Sequence, residues 1–85
     1  MTRIILSGAL GKMGRAITSC VENRNDCEIV AGIDLANDEC PFPIFKSFNE
    51  IDVEADVIID FSHPSVLGDL LVFAKDNRIP AVIAT

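Results

Sequence analysis

The segment Gly8-Ala9-Leu10-Gly11-Lys12-Met13-Gly14 constrains the fold more than any other part of the chain. It follows a short apolar run, Arg3 to Leu6, and opens a stretch of helical periodicity. Strand, glycine turn and helix in this order place an anion at a helix N-terminus. Gly8 permits the sharp turn after the strand, at a backbone angle that a residue with a Cβ resists. Gly11 carries no side chain to hold a phosphate away from the backbone, and Gly14 allows the helix to pack close to the sheet. The spacing G-x-x-G-x-x-G is a variant of the commoner G-x-G-x-x-G. Lys12 invites comparison with a Walker A loop, but Met13 stands where Ser or Thr is needed for Mg²⁺ and the glycine spacing fails, so that reading is rejected.

Three neighbouring features reinforce a dinucleotide-binding reading. Met13, Ala16, Ile17, Cys20 and Val21 form a one-face apolar stripe of the i, i+3, i+4 kind. Cys27 to Ile33 reads as a second strand, with Cys27, Ile29, Ala31 and Ile33 alternating against Glu28, Val30 and Gly32. It ends at Asp34, 20 residues beyond Gly14, where such folds place an acid for the adenosine ribose hydroxyls.

Further along, Leu35 to Pro43 reads as a loop in place of a crossover helix, Pro43 to Phe45 as a brief edge strand, and Ser47 to Glu50 as a short helical turn. Asp56 to Asp60 is a continuous apolar strand of the buried parallel type. A helix from about Pro64 to Asn77 follows, with Val66, Leu67, Leu70, Leu71 and Ala74 at helical spacing, and a last strand spans Ala81 to Thr85. Right-handed crossovers then predict a three-layer α/β, Rossmann-like parallel sheet of order 3-2-1-4-5, reaching no further than strand five in this chain. In that topology Gly8–Gly14 and Phe61–Pro64 line one crevice at the carboxyl edge of the sheet. Ser62 is the expected cap of the following helix. Asp60 is expected to bond loop amides, Phe61 to pack on a cofactor ring or close the core, and His63 to sit in the first helical turn or touch the cofactor.

With 85 residues the chain is one domain at most, and 49% hydrophobic with 24% charged residues is ordinary for a globular one. The net charge of −6 argues against nucleic acid or an anionic membrane as partner. Arg3, Lys12 and Arg15 are read as a local basic patch flanking the glycine turn, suited to a small phosphate-bearing ligand. The three cysteines match no metal or redox spacing. Cys20 and Cys27 read as core and Cys40 as a more exposed loop residue. Neither a signal peptide nor a membrane-length apolar run is visible, so the expected setting is cytoplasmic.

The turn Gly8 to Arg15, the acid Asp34 and the stretch Val57-Ile58-Ile59-Asp60-Phe61-Ser62-His63-Pro64 together resemble the dihydrodipicolinate reductase family, over essentially the whole chain. The resemblance implies an oxidoreductase of lysine and diaminopimelate biosynthesis that reduces a cyclic imine-type dicarboxylate with NADH or NADPH. It implies that Gly8, Ala9, Leu10, Gly11, Lys12 and Met13 bind pyrophosphate and Asp34 the adenosine ribose. Ala84 and Thr85, which begin the family's Gly-Thr-Thr-Gly turn with Ala84 at the first glycine, would serve the nicotinamide side. The family's Arg after the ribose acid is Leu35 here, which favours NADH. The family's substrate domain, with its His and Lys, lies beyond this point. The chain is therefore expected to be a cofactor-binding domain, residues 1–85, of a larger homo-oligomeric enzyme. By itself it should bind the dinucleotide, carry no catalytic or metal-binding residues, and turn nothing over, since the dicarboxylate is met only by the further domain. The competing readings are a nucleotide-sensing Rossmann module without chemistry, the cofactor domain of another dehydrogenase, and a fragment too short to bind well.

Overall fold

The computed structural model describes residues 1–84. The elements are β1 (Thr2–Ser7), α1 (Lys12–Glu22), β2 (Cys27–Ile33), β3 (Ile44–Phe45), β4 (Val57–Asp60), α2 (Leu67–Asn77) and β5 (Ala81–Ile83), with 3₁₀ turns at Phe48–Glu50 and Pro64–Val66. All four strand pairings are parallel and the order is β3-β2-β1-β4-β5, as the crossover rule predicts.

Both faces of the sheet are covered, which is why Ile4–Leu6 in β1 and Val57–Ile59 in β4 are unbroken apolar runs. Alternation along β1 sends Ile5 to one face and Leu6 to the other. Ile5 joins Ala31, Ile33, Phe48, Ile58 and Leu70 under α2. There Phe48 and Phe73 meet with ring centroids 5.2 Å apart. Leu6 joins Ala9 and Phe42 under α1, with Ile17, Ile29, Ile59 and Phe61 packed around them.

The expected alternation in β2 is broken. The register moves from Ile4↔Ile29 to Ile5↔Ala31, so Val30 is an extra residue bulged out of the ladder. Ile29 accordingly packs under α1, whereas Val30, Ala31 and Ile33 pack under α2. Beyond the bulge Gly32 faces the α1 side, where a Cβ would come within 2.8 Å of Ala9, Ile44 and Phe42 side-chain atoms. Phe42 thus packs against the sheet at Gly32, where a regular unit has its crossover helix.

The stripe expected on α1 is also corrected. The face against the sheet runs through Gly14, Ile17, Thr18 and Val21, while Met13, Ala16 and Cys20 are exposed. Close seating of the helix at Gly14 rotates Met13 and Cys20 off the contact line. Cys20 is therefore a surface thiol, and Cys27 and Cys40 are half-buried, Cys40 against the Leu6–Phe42 cluster. In α2, Leu70 is fully buried and Phe73 and Ala74 pack beside it, whereas Leu71 is exposed. The helix ends at Arg78 in the left-handed conformation (φ 56°), and the Ile79 N–H donates to the Ala74 carbonyl, a turned C-terminus in which a non-glycine residue takes the glycine role.

Candidate functional site

Parallel strands bring the carboxyl ends of β1, β2, β3 and β4 to one edge, and a cleft of about 280 Å³ opens there. Gly8, Gly11, Asp34, Lys46, Phe61 and His63 are among its walls. The loops after β1 and β4 meet at this edge, as the strand order requires at a switch point beside β1.

The glycine turn is built from three different constraints. Gly8 has φ +83°, and a Cβ there would lie 2.9 Å from the Phe61 carbonyl carbon and the Ser62 nitrogen. The turn and the β4 loop therefore touch backbone to backbone. A Cβ on Gly14 would run into the Gly8 carbonyl and come within 2.6 Å of the Ala9 carbonyl oxygen. The close approach is thus to the turn's own carbonyls rather than to the sheet. Gly11 is different: its φ of −75° suits any residue, and a Cβ would meet only the Gly8 carbonyl oxygen at an ordinary 3.5 Å. Among the described residues, nothing in the fold demands glycine at position 11.

Gly11 is the N-cap of α1 and provides no capping side chain. The first N–H groups of the helix, those of Lys12, Met13 and Gly14, have no intrahelical acceptor, and the positive end of the helix dipole lies there. An open cap of this type fits a phosphate or pyrophosphate. Ala9 is buried, with its side chain in the core, and its N–H donates to the Ile33 carbonyl at 3.2 Å. Lys12 is exposed and Met13 half in solvent.

Asp34 holds the turn from the other side. Its Oδ2 accepts from the Leu10 N–H at 2.9 Å and its Oδ1 from the Ala36 N–H at 3.0 Å. Arg15 completes the clamp, donating through Nε to the Leu10 carbonyl and through Nη2 to Asp38 Oδ2, each at 3.0 Å. The guanidinium holds the Asp38 carboxyl below its usual range, with help from the Glu39 N–H. Sequence reasoning located Asp34 but missed this clamp; only the Ala36 bond has a local signal, a short carboxylate two residues before the N–H it accepts from.

The expected basic patch is smaller than the sequence implied. Arg3 sits at the amino edge of the sheet, away from the cleft, where it pairs with Asp56 at 3.1 Å and Glu54 at 3.4 Å. It is the second residue of β1, so the strand itself carries it to the far end. Arg15 is engaged as above. Among the described residues, Lys12 and Lys46 are the two cations at this edge without an ion pair.

On the β4 side, Asp60 is 1% exposed and its Oδ1 accepts from the Ser62 N–H at 3.0 Å and from the Ser62 hydroxyl. Ser62 therefore serves Asp60 and does not cap the helix. The cap is His63, whose Nδ1 accepts from the Ser65 N–H at 3.2 Å. Phe61 lines the cleft and also closes the core beside Leu6 and Ala9, so both of its expected roles are open to one side chain. The Ala84 N–H donates to the Asp60 carbonyl at 2.9 Å, which brings the chain after β5 to the same edge. Thr85 lies outside the described residues. Among those described, no group of His, Cys, Asp and Glu could hold a metal ion, and no helix is long and apolar enough to cross a membrane.

A doubly wound sheet with a glycine turn, an open helix cap and an acid after the second strand defines a Rossmann-like domain of the dinucleotide-binding class. The chain belongs to the family described as "Dihydrodipicolinate reductase, N-terminus", whose model matches residues 2–85. It is similar to the 4-hydroxy-tetrahydrodipicolinate reductases of Clostridium novyi (strain NT), at 50% identity, and Clostridium tetani (strain Massachusetts / E88), at 44%. Each match covers 100% of this chain and 34% of the relative, so the chain spans about a third of the length of the curated relatives it matches. Among solved structures, dipicolinate-bound dihydrodipicolinate reductase from Paenisporosarcina sp. TG-14 shares the fold with a TM-score of 0.88 at 24% identity, over 100% of this chain and 37% of that one.

Proposed function

We propose that this chain is the nicotinamide-dinucleotide domain of a reductase acting on a cyclic imine-type dicarboxylate in lysine and diaminopimelate biosynthesis. The observation that carries the reading is Gly11: a glycine that the fold does not require, at the open cap of α1, facing a cleft whose far wall includes Asp34. A pyrophosphate explains why a side chain is absent there.

The dinucleotide, when bound, supplies the hydride, and the chain orients it. The N–H groups of Lys12, Met13 and Gly14 would donate to the pyrophosphate oxygens, and the Lys12 ammonium would add a positive charge. Gly8, Ala9 and Leu10 shape the backbone that approaches it. Asp34, already bonded to two N–H groups, retains lone pairs for the ribose hydroxyls. Phe61 would cover a ring, and Ala84 and Thr85 would serve the nicotinamide side. The Asp34 charge repels a 2′-phosphate and exposed Leu35 offers nothing to offset it, which favours NADH over NADPH.

The dicarboxylate and its proton donor belong to a further domain of the cytoplasmic, homo-oligomeric parent enzyme. His63 caps the turn after β4 through Nδ1, which accepts from the Ser65 N–H. The chain on its own binds cofactor without turnover. Calorimetric titration with NADH and NADPH tests this: saturable one-to-one binding, tighter for NADH, is expected. Absence of binding to either, by a folded chain, would contradict it.

A further inference from the structure

Lys46 stands at the cleft with its backbone fixed and its ammonium unpaired. The Asp34 N–H donates to the Phe45 carbonyl at 3.0 Å, which locks the end of β3 beside the acid that follows β2. Lys46 is the next residue. Its own N–H donates to Glu50 Oε2 at 3.0 Å, and Glu50 is held in turn by the capping box it forms with Ser47. The stem of Lys46 is therefore anchored on both sides. Its side chain lines the same cleft as Asp34 and Leu35, and it makes no ion pair among the described residues. Asp34 forms no ion pair with it, and its carboxylate oxygens accept instead from the Leu10 and Ala36 N–H groups.

The Asp34–Phe45 backbone bond sets Lys46 beside the acid that the dinucleotide reading gives to the adenosine ribose, on the wall of the same cleft. A basic residue near that acid is what accommodates a 2′-phosphate. We infer that Lys46 is the contact for the 2′-phosphate of NADPH, and that it lets a site whose acid favours NADH accept both cofactors. The cation comes from the neighbouring strand, in place of the position after the acid, which is Leu35. A lysine ammonium is a point charge that suits a terminal phosphate dianion and has nothing to gain from a bare ribose hydroxyl. This inference rests on the dinucleotide reading of the cleft.

The test is the ratio of NADPH to NADH affinity, measured by titration of the chain and of its Lys46→Gln and Lys46→Arg variants at low and high salt. Loss of one charge-assisted contact should lower the ratio about tenfold in Lys46→Gln. Lys46→Arg should keep it, and salt should depress it in the native chain more than in Lys46→Gln. A ratio unchanged by Lys46→Gln, parallel losses for both cofactors, or a native chain that takes NADH but not NADPH would each overturn the inference while leaving the cofactor site in place. Failure of the folded native chain to bind either cofactor would instead overturn the dinucleotide reading, and this inference with it.

Discussion

The Leu10 N–H donates to Asp34 Oδ2 at 2.9 Å, so the acid that ends the second strand also closes the glycine turn after the first. One side chain thus joins two segments 24 positions apart in sequence, and the acid side and the glycine-turn side of the cleft are mechanically one unit. A change at Asp34 should be felt at both.

Asp34→Ala removes the acceptor for the Leu10 and Ala36 N–H groups. A loss of about 1–2 kcal/mol of stability is expected, together with weakened NADH binding. Asp34→Asn keeps one acceptor oxygen and should lie between. Denaturant unfolding and NADH titration of the two variants check this. Full native stability in Asp34→Ala would mean that the clamp contributes nothing.

Gly14 is a packing position. Its missing Cβ is replaced by the Gly8 and Ala9 carbonyls, so Gly14→Ala must push α1 away from the turn. Overpacking of this kind costs about 1–3 kcal/mol. The thermal midpoint should fall clearly, and cofactor binding should fall with it because the cap of α1 moves.

Acid should weaken the fold through three exposed carboxylates. Arg24 holds Asp26 down at about 2, Arg15 lowers Asp38, and Arg3 lowers Asp56 through its side chain and its own N–H. A carboxyl with a depressed folded pKa adds stability that is fully present above its unfolded value of about 3.9 and is lost as pH falls through the folded value. The thermal midpoint should therefore hold steady from about pH 7 to 5 and decline between about pH 4 and 2. Asp56→Asn should start lower at neutral pH and decline less. An identical slope in the variant would show that the Arg3–Asp56 pair does not contribute.

The order of elements, the bounds of β2 and the strand order were legible because periodicity and glycine chemistry are local signals. Three features were not. The bulge at Val30 switches faces with no residue type to announce it, since Ile29, Val30 and Ala31 are all apolar. The contact face of α1 depends on how closely Gly14 seats the helix, and that is set by the carbonyls it touches. Capping by His63 in place of Ser62 follows from Asp60, whose buried carboxylate takes the Ser62 hydroxyl first. Asp34 itself was legible as an acid at the right place. Its bond to Leu10 was not, because it depends on how the two strand ends meet.

The central claim is that Gly11 is glycine for the ligand and not for the fold. Gly11→Ala tests it most directly, with a thermal scan and an NADH titration on the same sample. The Cβ meets only an ordinary 3.5 Å contact, so the thermal midpoint should fall by no more than corresponds to the roughly 1 kcal/mol that Ala costs relative to Gly at an N-cap. It also stands at the cap where the pyrophosphate would approach, so NADH affinity should fall at least about tenfold, the loss of one or more charge-assisted contacts. Native affinity in a fully folded Gly11→Ala variant would contradict the account.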